Sequence, residues 1–131
     1  MITREVDYAI RTVLSLAARG PDATASTADL AAEMQIPFRF LRQIVRKLVA
    51  GGIVASQRGN GGGITLLVAP DKLSLLTILE IIDPRNLKLN TCLVEKANCP
   101  RSGYCRVHAE MHRLQGMLEE QLAGITMDKV M

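Results

Sequence analysis

A mainly α fold carrying one small β-hairpin is the fold class this sequence predicts. Three observations carry it. Apolar residues make up 48% of the 131 residues, yet aromatics supply only 3% and Trp is absent, so Leu, Ile, Val, Ala and Met must fill the core, a palette that favours helices. Those residues recur at spacings of three and four over most of the chain, which aligns them on helical faces. One pair of β-prone runs interrupts the rhythm, and it flanks a glycine-rich segment. A domain of this length buries roughly two thirds of its unfolded surface, so no disulfide scaffold is needed.

From Thr3 to Arg19, the residues Val6, Ala9, Ile10, Val13, Leu14 and Ala17 share one face of a first helix, which Gly20-Pro21 ends. Ser26 and Thr27 precede a short second helix over Ala28–Met34, with Asp29 three residues after Ser26 as a partial capping box. Gln35-Ile36-Pro37 breaks it, because the residue before proline is pushed out of the helical region and proline suits the first turn of a new helix. The third helix starts near Pro37, runs to Ala50 and stops at Gly51-Gly52. It sets Leu41, Ile44, Val45 and Leu48 on one side and Arg39, Arg42, Gln43 and Arg46 on the other. Ile53–Gln57 and Ile64–Val68 then read as a hairpin around Arg58-Gly-Asn-Gly-Gly-Gly63. Helix, short helix, basic helix, hairpin is the order of a winged helix-turn-helix, with Arg58 at the base of the wing. Ser74 introduces an apolar helix, Leu75 to Ile82, closed by Asp83-Pro84. Arg85 to Tyr104 shows no sustained period and reads as an irregular loop, which at that length calls for a function or a staple. Arg106 to Leu122 forms a long helix with Val107, Met111, Leu114, Leu118 and Leu122 in one stripe, suited to its own domain or, preferably, to a homodimer seam. Ile125–Met131 adds a final turn. The chain thus divides into a winged helix-turn-helix domain over 1–84, a cysteine-rich loop over 85–105, and a dimerisation helix with a C-terminal segment over 106–131.

The charge is uneven. Between Glu33 and Asp71 there is no acid, while Arg39, Arg42, Arg46, Lys47 and Arg58 give +5; against a total of +3 the rest of the chain is −2. Such a block is either a solvated face or the footprint of a polyanion. Three guanidiniums and an amide on one helix face have the donors to grip phosphates and read purine edges in the major groove of double-stranded DNA. Arg42 and Gln43 suit base edges, Arg46 and Lys47 phosphates, and Arg58 the minor groove. A nucleotide phosphate loop is the disfavoured competing reading, since the glycine run lacks the Gly-Lys-Ser/Thr ending and a strand leading into a helix. The longest uncharged stretch, Gly59 to Pro70, is glycine-rich and too short to span a bilayer. Arg4, Glu5, Asp7 and Arg11 stand where a secretory signal needs an apolar run, so the expected location is cytoplasmic.

Cys92, Cys99 and Cys105 fall within fourteen residues and nowhere else. An odd number without an export signal argues for metal binding, redox chemistry or burial over a disulfide framework. Thiolates are soft donors that suit an iron-sulfur cluster or zinc. His108, three residues after Cys105, is a candidate fourth ligand; His112 lies one turn on, and Asp7 is a second candidate, although Arg11 is placed to pair with it. A thiol redox enzyme is the remote alternative: it lacks a Cys-x-x-Cys pair, a βαβ pattern and any nucleophile, base and orienter set.

With the wing Arg58-Gly-Asn-Gly-Gly-Gly63 followed by a three-cysteine loop, and with Asp7-Tyr8-Ala9-Ile10-Arg11 near its start, the chain resembles the bacterial iron-sulfur regulators that include IscR and NsrR. The likeness runs through to Ile125-Thr126. It implies a homodimeric transcription regulator, not an enzyme, in which Cys92, Cys99 and Cys105 hold a 2Fe-2S or 4Fe-4S cluster whose state governs promoter binding. A regulator with a structural zinc site and no sensing is the alternative. The resemblance also implies that the fourth ligand is a histidine placed as His108 is, or an aspartate of the partner subunit placed as Asp7 is. The first cysteine gap is six residues where five is usual in the two named types, which leaves the cluster type and ligand set open.

Overall fold

Helix α1 (Arg4–Ala18) starts where Thr3 Oγ1 accepts a hydrogen bond from Val6 N at 3.3 Å, and it buries Val6, Ala9, Val13 and Leu16. The computed structural model describes residues 2–94 and 99–131; Met1 and the 95–98 part of the predicted cysteine loop lie outside the described residues. The chain turns into a two-residue strand, β1 (Thr24–Ala25), which the sequence pattern does not predict. Ser26 Oγ then accepts from Asp29 N at 3.0 Å, capping α2 (Thr27–Met34) as the partial capping box predicts. Pro37 stands outside the next helix as its N-cap, with φ −55° and ψ 129°, so α3 (Phe38–Ala50) begins one residue later than expected.

Helix α3 ends in a Schellman motif. Gly52, at φ +76°, donates to Val49 O at 3.0 Å, and Ile53 N donates to Leu48 O at 2.9 Å. That second bond is why Ile53 is not part of the first hairpin strand: its amide closes the helix instead. The strands are β2 (Val54–Gln57) and β3 (Gly63–Leu66), and the sheet order is β1-β3-β2, all antiparallel. Val54 opposes Leu66, Gln57 opposes Gly63, and Ala25 opposes Ile64. β3 stops at Leu66, short of the predicted Val68, because the chain bends into a 3-10 turn at Pro70–Lys72. Gly63, at φ +143°, permits β1 to close on the wing: a Cβ there would lie 2.8 Å from Ala25 O.

Ser74 Oγ accepts from Thr77 N and caps α4 (Leu75–Ile82), whose Ile78, Leu79 and Ile82 complete a core shared with α1 and α3. A 3-10 turn at Thr91–Leu93 precedes α5 (Arg106–Gly124). After α5 the chain returns to the start of α4: Leu75 N donates to Ile125 O and Met127 N to Leu73 O, both at 2.9 Å. Met127, fully buried, plugs the core beneath the last 3-10 turn, Met127–Val130. Along α5 only Gln115 and Leu122 are buried; Val107 and Met117 are more than half exposed and Leu114 is 38% exposed. Among the described residues no helix is long and apolar enough to cross a membrane.

Candidate nucleic-acid interface and cysteine cleft

The 3.6-residue period of α3 puts Leu41, Ile44, Val45 and Leu48 into the core and leaves Arg39, Arg42, Gln43 and Arg46 lining one shallow groove on its outer side. Arg42 and Arg46 also face a notch of about 300 Å³ that Arg58 and Ser56 line from the wing and Thr27 from the start of α2. Five of the six residues read from the sequence as DNA contacts therefore share one continuous basic surface. Lys47 does not join them. Its Nζ sits 2.6 Å from Glu5 Oε1 and donates to Ile82 O at 3.1 Å, tying α3 to α1 and to the end of α4. Sequence reasoning missed Thr27 and Ser56, and also Phe38, whose half-exposed ring lies 5.9 Å from the Arg42 guanidinium carbon. The signal for Phe38 was available: it precedes Arg42 by four, which places both on one helical face.

Each cysteine is positioned by a different local device. Cys92 sits on the Thr91–Leu93 turn, whose first amide is held by Asn90 Oδ1 at 2.8 Å. Cys105 is the N-cap of α5, its Sγ accepting from His108 N at 3.4 Å. Cys99 lies between them, and all three are free and half-buried. Together with His108 they line one cleft of about 450 Å³. Among the described residues, His108 Nδ1 is buried without a hydrogen-bond partner, an orphaned polar atom that a ligand would satisfy. Among the described residues, no three His, Cys, Asp or Glu side chains are gathered closely enough to hold a metal ion. The donors thus face one space without converging on a point, and their chemistry, three thiols and an imidazole, fits an iron-sulfur cluster or zinc.

His112, with its ring centroid 6.4 Å from that of His108, opens instead onto an adjoining cleft of about 400 Å³ with Lys88, Gln115 and Glu119. Cys99 and Cys105 do not line that second cleft. Asp7 lies on α1 and binds Arg11 Nε at 2.8 Å, a hydrogen bond that pushes the guanidinium pKa up; it does not line the cysteine cleft of its own chain. Glu119 is held below the ordinary carboxylate value, first by the Gln115 hydrogen bond and then by Lys88, with burial opposing.

Residues 2–131 match the family named Rrf2, described as an iron-dependent transcriptional regulator. The chain belongs to the Rrf2 family. Among its relatives is the HTH-type transcriptional regulator IscR of Aliivibrio salmonicida, 27% identical over 130 residues that span 99% of this chain and 76% of the relative. An rrf2-like HTH-type regulator of Rhodobacter capsulatus is 36% identical over 115 residues, 82% of this chain and 76% of that one. The structure of T. potens IscR superposes with a TM-score of 0.77 at 19% identity, covering 99% of this chain and 85% of that one. CymR, the global cysteine regulator of B. subtilis, gives 0.75 at 20% identity, covering 99% and 95%. These two likenesses confirm the winged-helix fold. Rrf2 membership makes the chain a transcriptional regulator rather than a thiol redox enzyme.

Proposed function

We propose that this Rrf2 regulator binds promoter DNA as a homodimer in the cytoplasm, under the control of an iron-sulfur cluster carried by Cys92, Cys99 and Cys105. The observation that carries the reading is that these three thiols line one cleft at the root of α5 together with His108, whose Nδ1 has no hydrogen-bond partner among the described residues. His108 or the partner subunit's Asp7 would complete the ligand set. Such a cofactor, when bound, supplies iron whose redox state and ligands answer to the surroundings.

The chain's own residues supply the rest. Arg39, Arg42, Gln43 and Arg46 face outward from α3 and meet Arg58 across the wing notch, so phosphates and base edges are within reach of one surface. Val107, Leu114 and Met117 leave an apolar stripe on α5 for a second copy. Cys105 caps α5, while Cys92 comes after α4, the helix packed on α1 and α3. The state of the cleft is thereby linked to the angle between α5 and the winged part, and hence to the spacing of two recognition helices on a two-fold operator.

Anaerobic purification with iron and sulfide counts, an absorption spectrum, and promoter binding by loaded and stripped protein tests this. Brown, iron- and sulfide-bearing protein whose stripped form binds DNA differently is the expected result. Colourless protein containing zinc would replace the sensing role with a structural one. Equal DNA affinity of loaded and stripped forms would remove the coupling.

A further inference from the structure

The stripe of α5 that faces the body of the molecule runs through Met111, Leu118 and Leu122, and between them, where the period calls for an apolar residue, stands Gln115. It is 5% exposed and uses its whole amide. Nε2 donates to Leu87 O at 3.1 Å and to Glu119 Oε1 at 2.9 Å, while Oε1 accepts from Leu89 N at 2.8 Å. A buried amide is costly unless fully bonded, and two of these three bonds go to backbone just ahead of Cys92. Outside it, Lys88 Nζ reaches the same Glu119 oxygen at 3.1 Å, closing a second clasp on the same segment.

We propose that Gln115 is a positioning residue, a latch on α5 that holds the Cys92 segment against the helix whose N-cap is Cys105 while the cleft is still unfilled. The proposal rests on the reading of the cysteine cleft as the cofactor site and adds what prepares it. Cys105 and His108 ride on α5 itself, and through Gln115 the Cys92 segment is referred to the same helix. Two of the three thiols therefore keep their spacing before any group arrives, so less ordering is left for binding to accomplish.

The test uses reduced, cluster-free full chain and reads the alkylation rate of each cysteine by N-ethylmaleimide with peptide mapping. In Q115L the Cys92 rate should rise about tenfold as the segment opens more often, with Cys105 changed less than about twofold. A residue that merely stabilised the fold would raise both rates together, and that result would overturn the latch. R113A, on a side chain paired with Glu110 at the surface of α5, should leave the ratio unchanged. Should Q115L fail to fold, amide exchange in the wild-type chain decides: the Leu89 N–H, bonded to Gln115 Oε1, should be as protected as α5 amides, and exchange at an open-loop rate would overturn the proposal. Iron and sulfide counts on wild-type protein report separately on the cofactor reading.

Discussion

Arg42 occupies the point where the outer groove of α3, the wing notch and the Phe38 ring come together, so its removal should do more than delete one charge. R42A should cost about 1–3 kcal/mol of promoter binding and relax base preference, as for a base-edge contact, whereas R46A should weaken binding to all sequences alike and lower the slope of log affinity against log salt by about one, because a phosphate contact releases about one counterion. K47A should leave that slope alone and cost at most about 1 kcal/mol of folding stability, as for a partly exposed ion pair; fluorescence anisotropy over a salt series and a thermal melt separate the two behaviours. The contrast shows what was legible at this scale. The outward face of Arg39, Arg42, Gln43 and Arg46 follows from helical period alone. The fate of Lys47 depends on Glu5 and on the Ile82 carbonyl, which lie far off in sequence and are brought in only by packing. The three cysteines were legible as a group because they fall within fourteen residues of one irregular segment and line one cleft, whereas the side on which His112 opens is set by how α5 lies on the segment before it.

Among elements, the helices were readable because capping residues and breakers agree with apolar period: Ser26, Ser74 and Gly51-Gly52 all act where expected. β1 was not, since Thr24-Ala25 has no alternation to detect and becomes a strand only by pairing with β3. That pairing makes Gly63 obligatory. G63A should destabilise the protein by about 1–3 kcal/mol in chemical denaturation, through both its positive φ and the clash with Ala25 O. The clasp on α5 carries its own pH signature. Glu119 titrates below its ordinary value of 4.5 in the folded chain, chiefly through Gln115 and then Lys88. A carboxylate lowered in this way contributes stability above 4.5 that is lost as pH falls through the lowered value. The stability difference between wild type and E119Q should therefore be flat at neutral pH and shrink toward zero in the acid limb of a denaturation series.

For the whole molecule, one apolar cluster joins residues from Val6 to Met127, and the C-terminal segment closes it. M127A should cost about 2–5 kcal/mol, a large share of the roughly 5–15 kcal/mol that keeps a domain folded, and a calorimetric scan would show it as a lowered single transition. This closure was invisible in the sequence: Ile125–Met131 has too few residues to show a period, and its role comes from pairing with Leu73 and Leu75. That pairing also makes α5 a beam with one clamped end. Nineteen residues span about 28 Å, so a tilt of about ten degrees about the clamp would sweep the Cys105 end by about 5 Å. If the proposed dimer forms through α5, a swing of that size at the free end would reset how far apart two paired copies hold their basic helices, a distance that a stiff double helix cannot stretch to match.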